Sequence, residues 1–193
     1  MAQGPTEHVG VPDYDAGKGA GRGGLTMLQD IAFDMAERDL PQLIKAMGKP
    51  VYAREKIRIE PIDQAALAAA DAWKQPERRD YVDALNWSEI WDNYADQENR
   101  FGLAIWVDQP VGKPVLAGMA AGSIYDDREP GRLDIDYIES PKKDQNPIPG
   151  AARFIAVSAA LATARGGNLP ELRFVDTNPG SEALFKAIGH DLT

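Results

Sequence analysis

Two aspartates, Asp134 and Asp136, stand one residue apart in the run Leu133-Asp134-Ile135-Asp136-Tyr137-Ile138. Apolar and polar side chains alternate along this run, which is the pattern of a strand. The side-chain period of two places both carboxylates on one face. Two carboxylates in a partly buried cleft raise each other's pKa, which suits a general base. The same pattern also suits a polar strand face whose carboxylates pair with Arg132 and Arg128. Tyr125 and Tyr137 are the phenols nearest to these carboxylates in the chain, and Tyr125 falls at a strand end, where loops meet.

Other chemistries are disfavoured by composition. The chain has 193 residues and no cysteine, so disulfides, thiolate metal sites and a cysteine nucleophile are excluded. Its histidines, His8 and His190, lie at opposite ends, which argues against a histidine metal cluster or a Ser–His–Asp triad. The net charge of −9 disfavours a nucleic-acid partner and is compatible with a cationic one, although most acidic proteins are simply soluble and acidic. No apolar run reaches the roughly 18 residues of a membrane span, and no basic-then-apolar leader opens the chain. The expected location is therefore cytoplasmic, with export by a signal-independent route left open. Gly19-Ala20-Gly21-Arg22-Gly23-Gly24 matches a dinucleotide fingerprint, but no strand precedes it, so it reads as a flexible linker.

The elements that must position the candidates follow from periodicity. Residues 1–24, rich in Gly and Pro, form a flexible tail. Residues 25–50 form a helical extension with an apolar stripe of Leu28, Ile31, Met35, Leu40, Leu43, Ile44 and Met47, interrupted where Pro41 starts a second helix. This stripe is suited to a dimer seam or a protein partner through residues 25–47. Residues 51–193 form the main domain. Lys56 to Ile62 alternates as a half-exposed strand, and Asp63 is placed to cap the Ala-rich helix that follows. Arg79 to Gln97 reads as a helix with Trp87, Trp91 and Tyr94 in the core. Phe101–Val107, Val115–Ile124 and Leu133–Ile138 read as strands, Gly150–Ala164 as a helix, Leu172–Val175 as a strand, and Asn178 opens a last helix. Hairpin-linked strands followed by a β–α–β crossover imply a mixed, mostly antiparallel sheet flanked by helices, an α/β (α+β) fold.

This order, with two local motifs, resembles the GNAT superfamily of acetyl-CoA-dependent N-acetyltransferases over roughly residues 56–193. The first motif is the strand ending at Pro141, then a loop and a helix start at Pro149-Gly150-Ala151-Ala152-Arg153. The second is Leu172-Arg173-Phe174-Val175 followed by Asn178, Ser181, Phe185, Gly189 and His190. The resemblance implies direct attack of an amine on the acetyl-CoA thioester in a ternary complex. It implies that the backbone of Ile138, Glu139 and Ser140 pairs with the pantetheine arm, and that N–H groups at Gly150, Ala151 and Ala152 hold the pyrophosphate. Asn178 and Phe185 fall on its cofactor side, and Lys142-Lys143 could meet cofactor phosphates. Asp134 falls near the family's base, with Asp136 beside it, and Tyr125 and Tyr137 are the phenols available to protonate the leaving group.

The chain also departs from the family pattern. Pro147 stands where the pyrophosphate loop usually has a basic residue or Gln, with Gln145 and Asn146 as loose substitutes for that polar contact. The loop from Pro141 to Gly150 is longer than the common form. Phe185 replaces a tyrosine, and the sequence reaches Thr193 without the usual last strand. These departures keep two further readings open: a GNAT-like binding module without catalysis, and an effector or toxin carrying this fold.

Overall fold

The computed structural model describes residues 29–30, 32–34, 36, 38, 57–73, 85–126 and 130–175. The expected last helix from Asn178, all seven residues of the apolar stripe in 25–47, and Arg128 lie outside these residues. The elements are β1 (Ile57–Glu60), α1 (Gln64–Asp71), α2 (Trp87–Asn93), β2 (Arg100–Val107), β3 (Val115–Tyr125), β4 (Arg132–Glu139), α3 (Ala152–Gly166) and β5 (Glu171–Phe174). Residues 29, 30, 32–34, 36 and 38 are helical.

Local chemistry accounts for the helix starts. The Asp63 carboxylate accepts from Ala66 N at 2.8 Å, the side-chain cap expected of it. Asn86 caps α2, and its amide also donates to Glu89 at 3.0 Å. This start makes α2 shorter than the helix read from periodicity.

The strands form one five-stranded sheet in the order β1-β2-β3-β4-β5. The first three pairings are antiparallel, while β4 and β5 are parallel and joined by the α3 crossover. One face carries Ile57, Phe101, Leu103, Ile105, Leu133 and Ile135 against α3, principally Ile155, Ala156 and Ala159. The helical residues Phe33 and Ala36 join this core, with the Phe33 and Phe101 rings edge to face at 6.3 Å. The other face packs Ala104, Met119 and Ala121 against Leu67 and Ala70 of α1 and Trp87 and Ile90 of α2.

The β3–β4 ladder contains an irregularity. Ala121 faces Tyr137 and Gly122 faces Ile135, so the register passes over Asp136. This is a β-bulge, and it resets the alternation of β4. Leu133 and Ile135 lie on the α3 face before it, and Ile138 lies there after it. Tyr137 and Glu139, paired with Ala121 and Met119, therefore join Asp134 on the α1–α2 face. Strict alternation would have sent Tyr137 to the opposite side. The bulge also brings β4 backbone close to β3: a Cβ at Gly122 would lie 1.9 Å from the Asp134 carbonyl oxygen. The three nearest atoms all belong to the β4 backbone, which leaves no flexible side chain to yield. Gly122→Ala should destabilise the protein by about 3 kcal/mol, near the upper end of ordinary overpacking. Urea unfolding measures this, and an unchanged midpoint would mean that β4 can move aside.

Candidate active site

The α1–α2 face of β4 is where the titratable side chains collect. Helix α2 runs along this strand and donates to it twice. Trp87 Nε1 donates to Glu139 Oε2 at 2.6 Å, and the Tyr94 hydroxyl, just past the helix end, donates to Asp136 Oδ2 at 2.5 Å. The spacing explains why both bonds form. Seven helical residues rise about 10.5 Å, and three strand residues span about 10 Å. Helix and strand are thus commensurate when they run antiparallel, with Trp87 over Glu139 and Tyr94 over Asp136.

Trp87 is fully buried and Tyr94 is 6% exposed. Burial, then the hydrogen bond and charge of Asp136, push the Tyr94 hydroxyl far above the ordinary phenol range, with Tyr137 and Tyr125 contributing in the same direction. Tyr94 therefore keeps its proton and remains a donor at any ordinary pH. The end of α2 is held as well: Arg100 Nη1 donates to the carbonyls of Tyr94 and Ala95, each at 3.4 Å, and its guanidinium lies 4.8 Å from the Trp91 ring.

Asp134 has a different environment. It is 7% exposed, and Arg132 Nε lies 3.0 and 3.1 Å from its two oxygens. The same guanidinium sits 4.6 Å from the Tyr125 ring. Arg173, across the parallel ladder from Asp134, pairs with Glu171 at 2.8 Å. Of the two aspartates, one is thus neutralised by a cation and the other is hydrogen-bonded by a phenol.

The rim of this face is shaped by where β5 stops. Among the described residues, the last rung is Val175 N donating to Ile135 O at 2.9 Å, and β4 continues to Glu139. Beyond it, the loop from Pro141 is pinned by Asn146. This residue is 6% exposed; its amide donates to Ala117 O at 3.1 Å and accepts from Ile148 N at 2.9 Å. Ala117 is the residue passed over in a second bulge, where Ile105 faces Gly118 and Trp106 faces Leu116. Gly150, at φ 79° and exposed, then turns the chain into α3. No side chain caps α3, and its first turn contains no acid. A helix start of this kind favours an anion.

A cleft of about 260 Å³ lies at the Trp91 end of α2, lined in part by Asp30, Trp91, Gln97, Glu98 and Arg100. Trp91 and Tyr94 are neighbours, with ring centroids 6.1 Å apart. Gln97 Oε1 accepts from the Ser123 hydroxyl at 3.3 Å, and Ser123 is paired with Asp134.

No family model matches the sequence, and no curated protein matches it. Solved structures do. An acetyltransferase from Trypanosoma brucei is 11% identical with a TM-score of 0.51, over 71% of this chain and 94% of that one. A domain from Methanocaldococcus jannaschii is 20% identical with a TM-score of 0.51, over 72% of this chain and 90% of that one. A transcriptional regulator from Bacillus halodurans is 10% identical with a TM-score of 0.51, over 70% and 93%. The chain has a GNAT-like fold.

Within the GNAT fold, the residues singled out from sequence fall as follows. Asp134, Asp136, Tyr125 and Tyr137 share the α1–α2 face, and Tyr137 reaches it only through the bulge. Ile138, Glu139 and Ser140 lie past the last β5 rung, although the Ile138 side chain packs into the α3 core. Gly150 is exposed, while Ala151 and Ala152 are buried at the start of α3. Asn178 and Phe185 lie outside the described residues. Asn146, a stand-in for the loop's polar residue by sequence, is a buried structural pin. Tyr94 was legible only as a core aromatic, since helical spacing gives no sign of what its hydroxyl meets across the sheet. Asn146→Ala should cost about 2 kcal/mol in urea unfolding, because the Ala117 carbonyl and the Ile148 N–H lose a buried partner. A change within about 0.5 kcal/mol, the range of ordinary surface substitutions, would show that water replaces it.

Proposed function

We propose that the protein is an acetyl-CoA-dependent N-acetyltransferase, with residues 51–193 as the acyltransferase domain, 25–50 as a helical extension and 1–24 as a tail. The observation that carries this reading is the convergence on β4 of three features. The strand outruns β5, the bulge turns Asp136 and Tyr137 to one face, and α3 begins without a side-chain cap beyond the same strand end. In this reading the N–H groups at Gly150–Ala152 hold the pyrophosphate, and the backbone of Ile138–Ser140 aligns the pantetheine arm. Acetyl-CoA supplies the activated acyl group as a thioester.

The acceptor is an amine entering by the cleft at Trp91, where Asp30 and Glu98 favour a cation. Asp136 removes the proton from the ammonium form, the free amine forms a bond to the thioester carbonyl carbon, and the carbon–sulfur bond breaks. The departing sulfur takes a proton from Tyr125 or Tyr137, and the second proton lost by the amine nitrogen restores that phenol. Among the carboxylates, Asp136 suits the base role better than Asp134, whose oxygens both face Arg132. The enzyme's main contribution is alignment of the reactants.

Calorimetry with the full chain tests the reading first: acetyl-CoA is expected to bind, and no heat at millimolar cofactor would sink it. Thiol release with a panel of primary amines then tests the base. Asp136→Asn should lower turnover by about 10²- to 10⁴-fold, the range for a general base, with acetyl-CoA affinity unchanged. Unchanged turnover would remove Asp136 from the role.

A further inference from the structure

The hydrogen bond between α2 and Asp136 has a consequence beyond holding the fold together. A bulged strand residue lacks the regular ladder bonds that fix its neighbours, so its side chain needs another constraint. Here one constraint is a phenol with the commensurate partner Trp87 two helical turns earlier on α2. We infer that Tyr94 is a positioning residue for Asp136: its hydroxyl fixes the aim of the carboxylate and sets the pH at which it becomes a base. This rests on the reading of Asp136 as the base.

A donor to the charged form of a carboxylate favours that form. Tyr94 is suited to this because its buried hydroxyl does not itself ionise where Asp136 works. The other groups facing the pair are Tyr137 and the Asp134–Arg132 pair on β4, Tyr125 on β3, and Arg100 on β2, which donates to the Tyr94 carbonyl. Asp134 is paired with Arg132, and the Tyr94 hydroxyl donates directly to Asp136. The sign of its removal follows. Without the hydroxyl the charged carboxylate is less favoured, Asp136 gains its proton at higher pH, and the rising limb of the rate profile moves to higher pH with it.

The test is an NMR titration of the aspartate carboxyl carbons in the full chain, in wild type and Tyr94→Phe, which keeps the ring that fills the core. Asp136 is expected to titrate about one pH unit higher in Tyr94→Phe, the size of one hydrogen bond to a charged group. The acid limb of amine acetylation should move by the same amount. Site-specific replacement of Tyr94 by 3-fluorotyrosine, whose more acidic hydroxyl donates more strongly, should move both in the opposite direction. That variant also keeps the test open if Tyr94→Phe does not fold. Trp87→Phe, which removes the donor to Glu139, should leave the Asp136 titration in place. A titration of Asp136 that is the same with Tyr, Phe and fluorotyrosine overturns the inference, as does an acid limb that ignores the substitutions. The titration needs no cofactor, so a protein that fails to bind acetyl-CoA yet shows the shift would lose the acetyltransferase reading and keep the Tyr94–Asp136 coupling.

Discussion

Between Ala121 and Gly122 the β3–β4 ladder passes over Asp136, and the phase of β4 turns over at that residue. Much of the molecule is arranged around this one irregularity. Before it, Leu133 and Ile135 feed the core under α3; after it, Ile138 does. Without the reset, Ile138 would be driven to the face that holds Glu139, and Glu139 into the apolar core. A carboxylate there would carry a desolvation cost of several kcal/mol unless paired. The bulge thus lets one strand serve an apolar face along its whole length while presenting carboxylates and a phenol to the other. Gly122 is the residue that permits it, since any Cβ there meets backbone.

Helix α2 then fixes the geometry that the bulge creates. Its bonds to β4, at Glu139 and Asp136, lie at the two ends of the strand's extension beyond β5. A strand that outruns its neighbour would ordinarily be the most mobile part of a sheet. Here it is braced from the side by a buried tryptophan and a buried tyrosine, and its far end leads into a loop pinned by Asn146. Strand β4 is therefore held from its β3 and α2 sides, which is the property a site for aligning two reactants needs.

Much of the strand order was legible from alternation, because β2, β3 and β4 each contain an apolar side and strong turn residues between them. The Asp63 cap and the α3 crossover were legible for the same reason: their signals are local. The carboxylates and phenols of the site were also named from sequence. The two aspartates were placed on one face from their spacing, but Tyr137 was not. Period-two counting sends Tyr137 away from Asp134, and only the bulge brings it back. Tyr94 was correctly read as a core aromatic, yet being in the core and donating to Asp136 are compatible, and spacing along a helix reports only the first. Asn146 shows the converse: a polar residue in a loop suggested a ligand contact, whereas its partners are Ala117 and Ile148. In each case the missing information is a contact across many residues of sequence.

The fold likeness to structures at 10% to 20% identity carries no chemistry by itself, as the varied names of those proteins illustrate. What distinguishes this chain is the treatment of two like residues. Asp134 and Asp136 are two positions apart, of the same type, and on the same face. Arg132 meets both oxygens of the first, and its guanidinium also covers Tyr125, so that carboxylate is committed to an ion pair. The second faces a phenol whose own ionisation is suppressed by burial and by the carboxylate it serves. A cation neutralises a charge, whereas a neutral donor stabilises it and leaves it in place. Environment, rather than residue type, therefore separates the two: the Asp134 carboxylate is held by a guanidinium, and the Asp136 carboxylate receives a buried phenol.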